Sequence, residues 1–82
     1  MVTVVYELRF KRIISKIHDQ DLNNRVKQQI NRIVEDPTVG KPMRFFRKNT
    51  REVYIPPFRL SYCWQEEQNT LIFLDLSHKD EQ

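Results

Sequence analysis

Apolar residues change their spacing along this chain, and each spacing predicts a different element. Thr3 to Leu8 mixes β-branched, aromatic and aliphatic side chains and predicts an opening strand. Phe10, Ile13, Ile14 and Ile17 then recur at helical spacing, with Arg9, Lys11, Arg12 and Lys16 on the other faces, which predicts a short amphipathic helix. His18, Asp19, Gln20 and Asp21 interrupt that pattern, and Asp21 or Asp19 is placed to cap a second helix by accepting from its free backbone N–H groups. The stripe of the second helix is Leu22, Val26, Ile30, Ile33 and Val34, and Asp36-Pro37 ends it, because proline donates no backbone bond and pushes the residue before it out of the helical region. Two helices with so short a link are expected to pack as an antiparallel hairpin.

Beyond a loop holding Pro37, Pro42 and the only glycine, Gly40, the period falls to two. Val53 and Ile55 point one way and Tyr54 the other. After a Pro56-Pro57 turn, Phe58, Leu60, Tyr62 and Trp64 alternate with Arg59, Ser61 and Cys63. The large apolar set is expected to face the helices, which puts Arg59 and Ser61 on the opposite face. Glu66 to Asn69 reads as a polar turn into a last strand, Thr70 to Leu76, with Ile72, Leu74 and Leu76 facing the core and Asp75 and Ser77 on the Arg59 face. Continued extension brings Lys79 there too. The expected fold is α+β: an N-terminal strand, a two-helix antiparallel hairpin, then three to four antiparallel strands forming one twisted sheet with the helices on one face.

At 82 residues the chain suits one domain spanning 1–82. No apolar stretch approaches the length of a membrane span, so no membrane association is expected. A single cysteine, Cys63, and no charged-then-apolar leader at Met1 fit a reducing cytoplasm. The net charge of +3 is unevenly placed. Between Pro37 and Trp64 six cations (Lys41, Arg44, Arg47, Lys48, Arg51 and Arg59) face one anion, Glu52, a local charge of +5 against −2 for the rest of the chain. Such segregation is the footprint of a polyanion or acidic-protein partner; the bland reading is a solvated basic loop.

Gly-rich phosphate loops, paired cysteines and zinc-binding helices are absent from the sequence. His18, His78 and Cys63 are too scattered to suggest a ligand set, so no metal is expected, and Cys63 reads as a small, partly buried strand residue. Arg59, isolated on a strand of apolar neighbours, stands out. Its planar, permanently charged fork suits a phosphoryl transition state; the alternative is an ion pair with Asp75 across the hairpin. His78 and Lys79 are candidate proton donors to a leaving oxygen, or solvated residues near the terminus. Phe58, Tyr62 and Trp64 share the parity of the core. Phe45 and Phe46 are adjacent, so at most one points inward on a strand, and the other is available to stack on a base or fill a partner's pocket.

The run Asp36-Pro37-Thr38-Val39-Gly40-Lys41-Pro42, the strand Phe58-Arg59-Leu60-Ser61-Tyr62 and the later Ser77-His78-Lys79 follow a strand and two helices. In that order they resemble the RelE/ParE toxins of type II toxin-antitoxin systems over nearly the whole chain, RelE-like in type. The resemblance implies a toxin that binds in the ribosomal A site, cleaves mRNA there and so inhibits translation, silenced by a cognate antitoxin protein. It assigns catalysis to Arg59 with Lys79 or His78. Tyr54, which the strand parity puts on the same face, is a candidate stacking or proton-handling group in place of a family lysine, or a plain surface tyrosine. Contacts to ribosomal or messenger RNA backbone fall to Arg44, Arg47, Lys48 and Arg51. It implies neither metal nor small-molecule cofactor. Lysines common in the RelE type on the preceding strand are replaced here by Glu52 and Tyr54, and the type often continues into a tyrosine and a further helix where this sequence ends at Gln82. Two other readings stay open: a ParE-like toxin that inhibits DNA gyrase without nuclease activity, and a non-catalytic family member that only binds an antitoxin or RNA.

Overall fold

The computed structural model describes residues 1–44 and 48–78, so Phe45, Phe46, Arg47 and Lys79 lie outside the described residues. β1 (Thr3–Tyr6) leads into α1 (Leu8–Ser15) and α2 (Gln20–Glu35); β2 (Lys41–Pro42), β3 (Thr50–Ile55), β4 (Phe58–Gln65) and β5 (Thr70–His78) follow. The strands form one five-stranded sheet in the order β1-β5-β4-β3-β2. β1 runs parallel to β5, with Thr3 opposite Thr70, and the other pairs are antiparallel. The N-terminal strand thus closes onto the last one, and the sheet is mixed.

Local chemistry accounts for the element ends. Leu8 opens α1 rather than closing β1, because Glu7 is extended while its carbonyl already accepts the amide of Lys11 at 3.0 Å. Of the two candidate caps of α2 it is Asp19 that serves, its carboxylate accepting from the amides of Asp21 (2.9 Å) and Leu22 (3.3 Å). At the other end Asp36 is extended before Pro37, as its position before proline demands. Asn49 and Asn69 adopt the left-handed conformations (φ 71° and 51°) that turn the chain into β3 and β5, which asparagine tolerates better than most residues.

Both helices pack on one face of the sheet. Phe10 of α1 and Leu22, Val26 and Ile33 of α2 are buried in one cluster with Val53, Ile55, Leu60, Tyr62, Leu71, Phe73 and Leu76. At its centre the ring of Phe73 lies 5.4 Å from that of Tyr6, 5.6 Å from Phe10 and 6.1 Å from Tyr62, within the range of favourable aromatic pairs.

One register differs from the alternation expected along β5. Ser61 faces Asp75, but the next residue, Tyr62, faces Phe73, so Leu74 is an extra residue bulged out of the ladder. The bulge resets the parity: Leu71 and Phe73 before it and Leu76 after it are buried, while Ile72 and Leu74 are only partly so. Asp75 and Ser77 nevertheless keep their positions opposite Ser61 and Arg59. β2, part of the connecting loop in the sequence reading, is a two-residue edge strand, where proline's missing N–H is tolerated. Among the described residues no helix is long and apolar enough to cross a membrane.

Candidate functional site

The sheet face turned away from the helices carries the polar residues of three neighbouring strands. Directly opposed residues of an antiparallel pair share a face, so the pairs Lys41 with Glu52, Glu52 with Ser61 and Tyr54 with Arg59 bring β2, β3 and β4 together there. Nη1 of Arg59 lies 3.8 Å from Oε2 of Glu52, with both side chains partly buried, at 33% and 24% exposure. The two stand diagonally across the β3–β4 ladder. Lys41, Glu52, Val53, Tyr54 and Arg59 line an open recess of about 270 Å³. Tyr54 is exposed at 54% and forms part of this lining.

Arg59 therefore has Glu52 of β3 as an acidic partner, whereas the carboxylate of Asp75 is engaged by Nε of Arg9 from α1 at 3.2 Å. The cross-hairpin pair with Asp75 that the sequence suggested places the acid on the wrong strand, because α1 follows β1 at the β5 side of the sheet and reaches Asp75 first.

The remaining candidates fall elsewhere. His78 is opposite Phe58, a residue of the helix-side face, and the two rings meet edge to face at 5.5 Å. The structure thus does not bring His78 to the Arg59 face. Arg44 and Lys48 are exposed and, with Pro42, Arg51 and Trp64, line a separate hollow of about 370 Å³ that spans residues of β2, β3 and β4. Arg51 differs from those two. Its register partner is Tyr62, and its Nη1 donates to the carbonyls of Gly40 (2.8 Å) and Thr38 (3.2 Å).

That bond belongs to a clasp around the loop entering β2. The Gly40 amide donates to Oη of Tyr62 at 2.9 Å, and the same hydroxyl donates to the Pro37 carbonyl at 2.8 Å. Burial pushes the phenol's pKa up, opposed by the Gly40 N–H and the nearby Arg51 charge, so Tyr62 keeps the proton it donates. Asp36 folds the start of the loop by accepting from the hydroxyl (2.7 Å) and amide (3.2 Å) of Thr38, and these two bonds hold its pKa below the usual carboxylate value.

Two residues of the recess, Lys41 and Glu52, were not singled out as site residues from the sequence. Glu52 had a usable signal, as the lone acid in a +5 segment two residues from Tyr54. Lys41 had only its place among the six cations of that segment, since its membership of the recess depends on pairing between β2 and β3. Cys63 is buried among strand residues. Among the described residues no cluster of three or more His, Cys, Asp or Glu is arranged to hold a metal ion.

A family model described as the ParE-like toxin of type II bacterial toxin-antitoxin systems matches residues 4–81. Among solved structures, a chain of the intact Escherichia coli RelBE toxin-antitoxin complex is similar with a TM-score of 0.81 at 13% identity, covering 95% of this chain and 96% of that one. The isolated E. coli RelE toxin gives a TM-score of 0.82 at 11% identity, covering 100% and 88%. A chain of the RelBE2 toxin-antitoxin complex of Mycobacterium tuberculosis gives 0.74 at 26% identity, covering 94% and 96%. No curated protein sequence matches the chain.

Proposed function

Since the chain belongs to the ParE-like toxin family of type II bacterial toxin-antitoxin systems, we propose that it is the RelE-like kind of toxin, a ribosome-dependent endoribonuclease that cuts messenger RNA and stops translation. One observation carries this reading: a partly buried arginine paired at 3.8 Å with a carboxylate, in an open recess on the sheet face free of helices. An arginine beside a proton acceptor is the minimum needed to cleave RNA through its own 2′-hydroxyl.

The ribose 2′-oxygen attacks the adjacent phosphorus, forming the new P–O2′ bond as the bond to the 5′-oxygen of the next nucleotide breaks. Glu52, paired with Arg59 at 3.8 Å, takes the 2′-hydroxyl proton. Arg59 stabilises the charge that builds on the non-bridging oxygens. Lys79, assigned by the family resemblance, donates a proton to the departing 5′-oxygen; His78, packed on Phe58, is the weaker candidate for that role. The products are a 2′,3′-cyclic phosphate and a free 5′-hydroxyl. The nucleophile is the substrate's own hydroxyl, so the chemistry calls for no cofactor. Tyr54, exposed at the recess, offers a ring face to a nucleobase. Arg44, Arg47 and Lys48 bind the RNA backbone.

The solved relatives include RelE in complex with its antitoxin RelB. By the same reasoning this chain has a cognate antitoxin that neutralises it, a partner suited to a basic surface.

Codon-phased cuts in a translation extract, with cyclic-phosphate and 5′-hydroxyl ends that vanish with Arg59→Ala, are the expected result. A second reading, gyrase inhibition, draws on the ParE-like description of the matching family. Intact messenger together with inhibited DNA supercoiling would establish it. A protein that does neither, and only binds antitoxin or RNA, is the third outcome.

A further inference from the structure

Lys41 sits in the recess, yet it is carried by an edge strand only two residues long. So short a strand has few ladder bonds to fix it. What fixes it is the clasp just before it: Tyr62 holds the Gly40 amide and the Pro37 carbonyl, and Arg51 holds the Gly40 and Thr38 carbonyls. These contacts come from β4 and β3, the strands that also carry Arg59 and Glu52. The clasp therefore sets the distance between Lys41 and the pair.

The charges in the recess leave Lys41 with work to do. Lys41 is directly opposite Glu52, but the Glu52 carboxylate is paired with Arg59, and among the described residues Lys41 forms no salt bridge. Among the described residues two cations and one anion thus line the recess, with Lys41 on its outer edge. Alternation along β2 sends Lys41 to this face and its neighbour Pro42 to the other, where Pro42 lines the hollow of Arg44 and Lys48. A strand of RNA crossing the β2 edge meets Arg59, then Lys41, then that hollow.

We propose that Lys41 is a phosphate-binding residue of the Arg59 site, contacting the phosphate next to the scissile one, and that Arg51 and Tyr62 are positioning residues acting through it. This rests on the nuclease reading and adds to it a second phosphate contact and the device that places it. The clasp is built for position rather than for contact, since Tyr62 is fully buried and cannot reach RNA.

The test is single-turnover cleavage on purified ribosomes programmed with messenger, reading the limiting rate and the half-saturating toxin concentration across a salt series. Lys41→Met should raise half-saturation on the order of tenfold and lower the log–log salt slope by about 0.7, one phosphate contact on a single strand, with the limiting rate little changed. Lys41→Arg should restore both. Tyr62→Phe and Arg51→Met should shift half-saturation the same way but add little on top of Lys41→Met, a non-additivity that general loosening of the fold would not give. Wild-type saturation and slope in Lys41→Met, alongside inactive Arg59→Ala, overturn this inference alone. Full additivity of both clasp variants with Lys41→Met overturns the positioning role. No cleavage by the wild type overturns the nuclease reading and this inference with it.

Discussion

The hydroxyl of Tyr62 accepts the Gly40 amide at 2.9 Å and donates to the Pro37 carbonyl at 2.8 Å, so one side chain from the middle of β4 ties down the loop that delivers β2. The approach is close enough to require glycine: a Cβ at residue 40 would lie 2.5 Å from the hydroxyl oxygen and 2.8 Å from a ring carbon. Gly40→Ala should cost about 1–3 kcal/mol through overpacking. Tyr62→Phe should cost a similar ~1–3 kcal/mol by leaving a buried amide without its acceptor. Urea unfolding checks both, and midpoints equal to wild type would mean that the clasp does not hold the loop.

The raised pKa of Tyr62 has a consequence at high pH. A group whose folded pKa lies above its unfolded value, here 10.0, contributes stability that is complete below that value and lost as pH rises through the folded pKa. Wild type should therefore lose stability above about pH 10 more steeply than Tyr62→Phe. Thermal unfolding of the two from pH 8 to 11 measures the difference; parallel curves would contradict it.

Glu52→Gln separates chemistry from architecture. Its pair with Arg59 is partly solvated, so the substitution should change stability by less than ~1 kcal/mol. Loss of a general base should slow cleavage by about 100- to 10,000-fold. A rate near wild type would transfer the proton to another group.

His78 and Lys79 should part company. With its ring edge-on to Phe58, His78→Ala is expected to cost ~0.5–1.5 kcal/mol of stability and to leave the limiting rate near wild type. Lys79→Met should do the reverse. If His78→Ala loses cleavage at unchanged stability, the assignment of the leaving-group proton is wrong.

The helices were legible because their apolar stripes and polar caps are local signals, and the choice between Asp19 and Asp21 needed only the geometry of two amides. The parity of β4 was legible too, which is why Arg59 fell on the correct face. β5 was not, because the sequence shows no sign of the bulge at Leu74 that moves burial from Ile72 and Leu74 to Leu71 and Phe73. Partner choice was harder still. Glu52 and Asp75 both stand opposite Ser61, on the two strands that flank β4, and only the packing of α1 against β5, which presents Arg9 to Asp75, decides between them. Arg51 looked like one more surface cation, and its role in the clasp depends on a loop that no periodicity describes.

The central claim is that Arg59 is the charge-stabilising centre of an RNA-cleaving site, and one rate comparison tests it most directly. Messenger cleavage by the wild type and by Arg59→Ala is followed on programmed ribosomes, with the fold of each verified by its unfolding midpoint. Codon-phased cutting by the wild type is expected, with a fall of about 100- to 1,000-fold in an Arg59→Ala protein of near-wild-type stability. Equal cutting by both proteins, or intact messenger with the wild type, would contradict it.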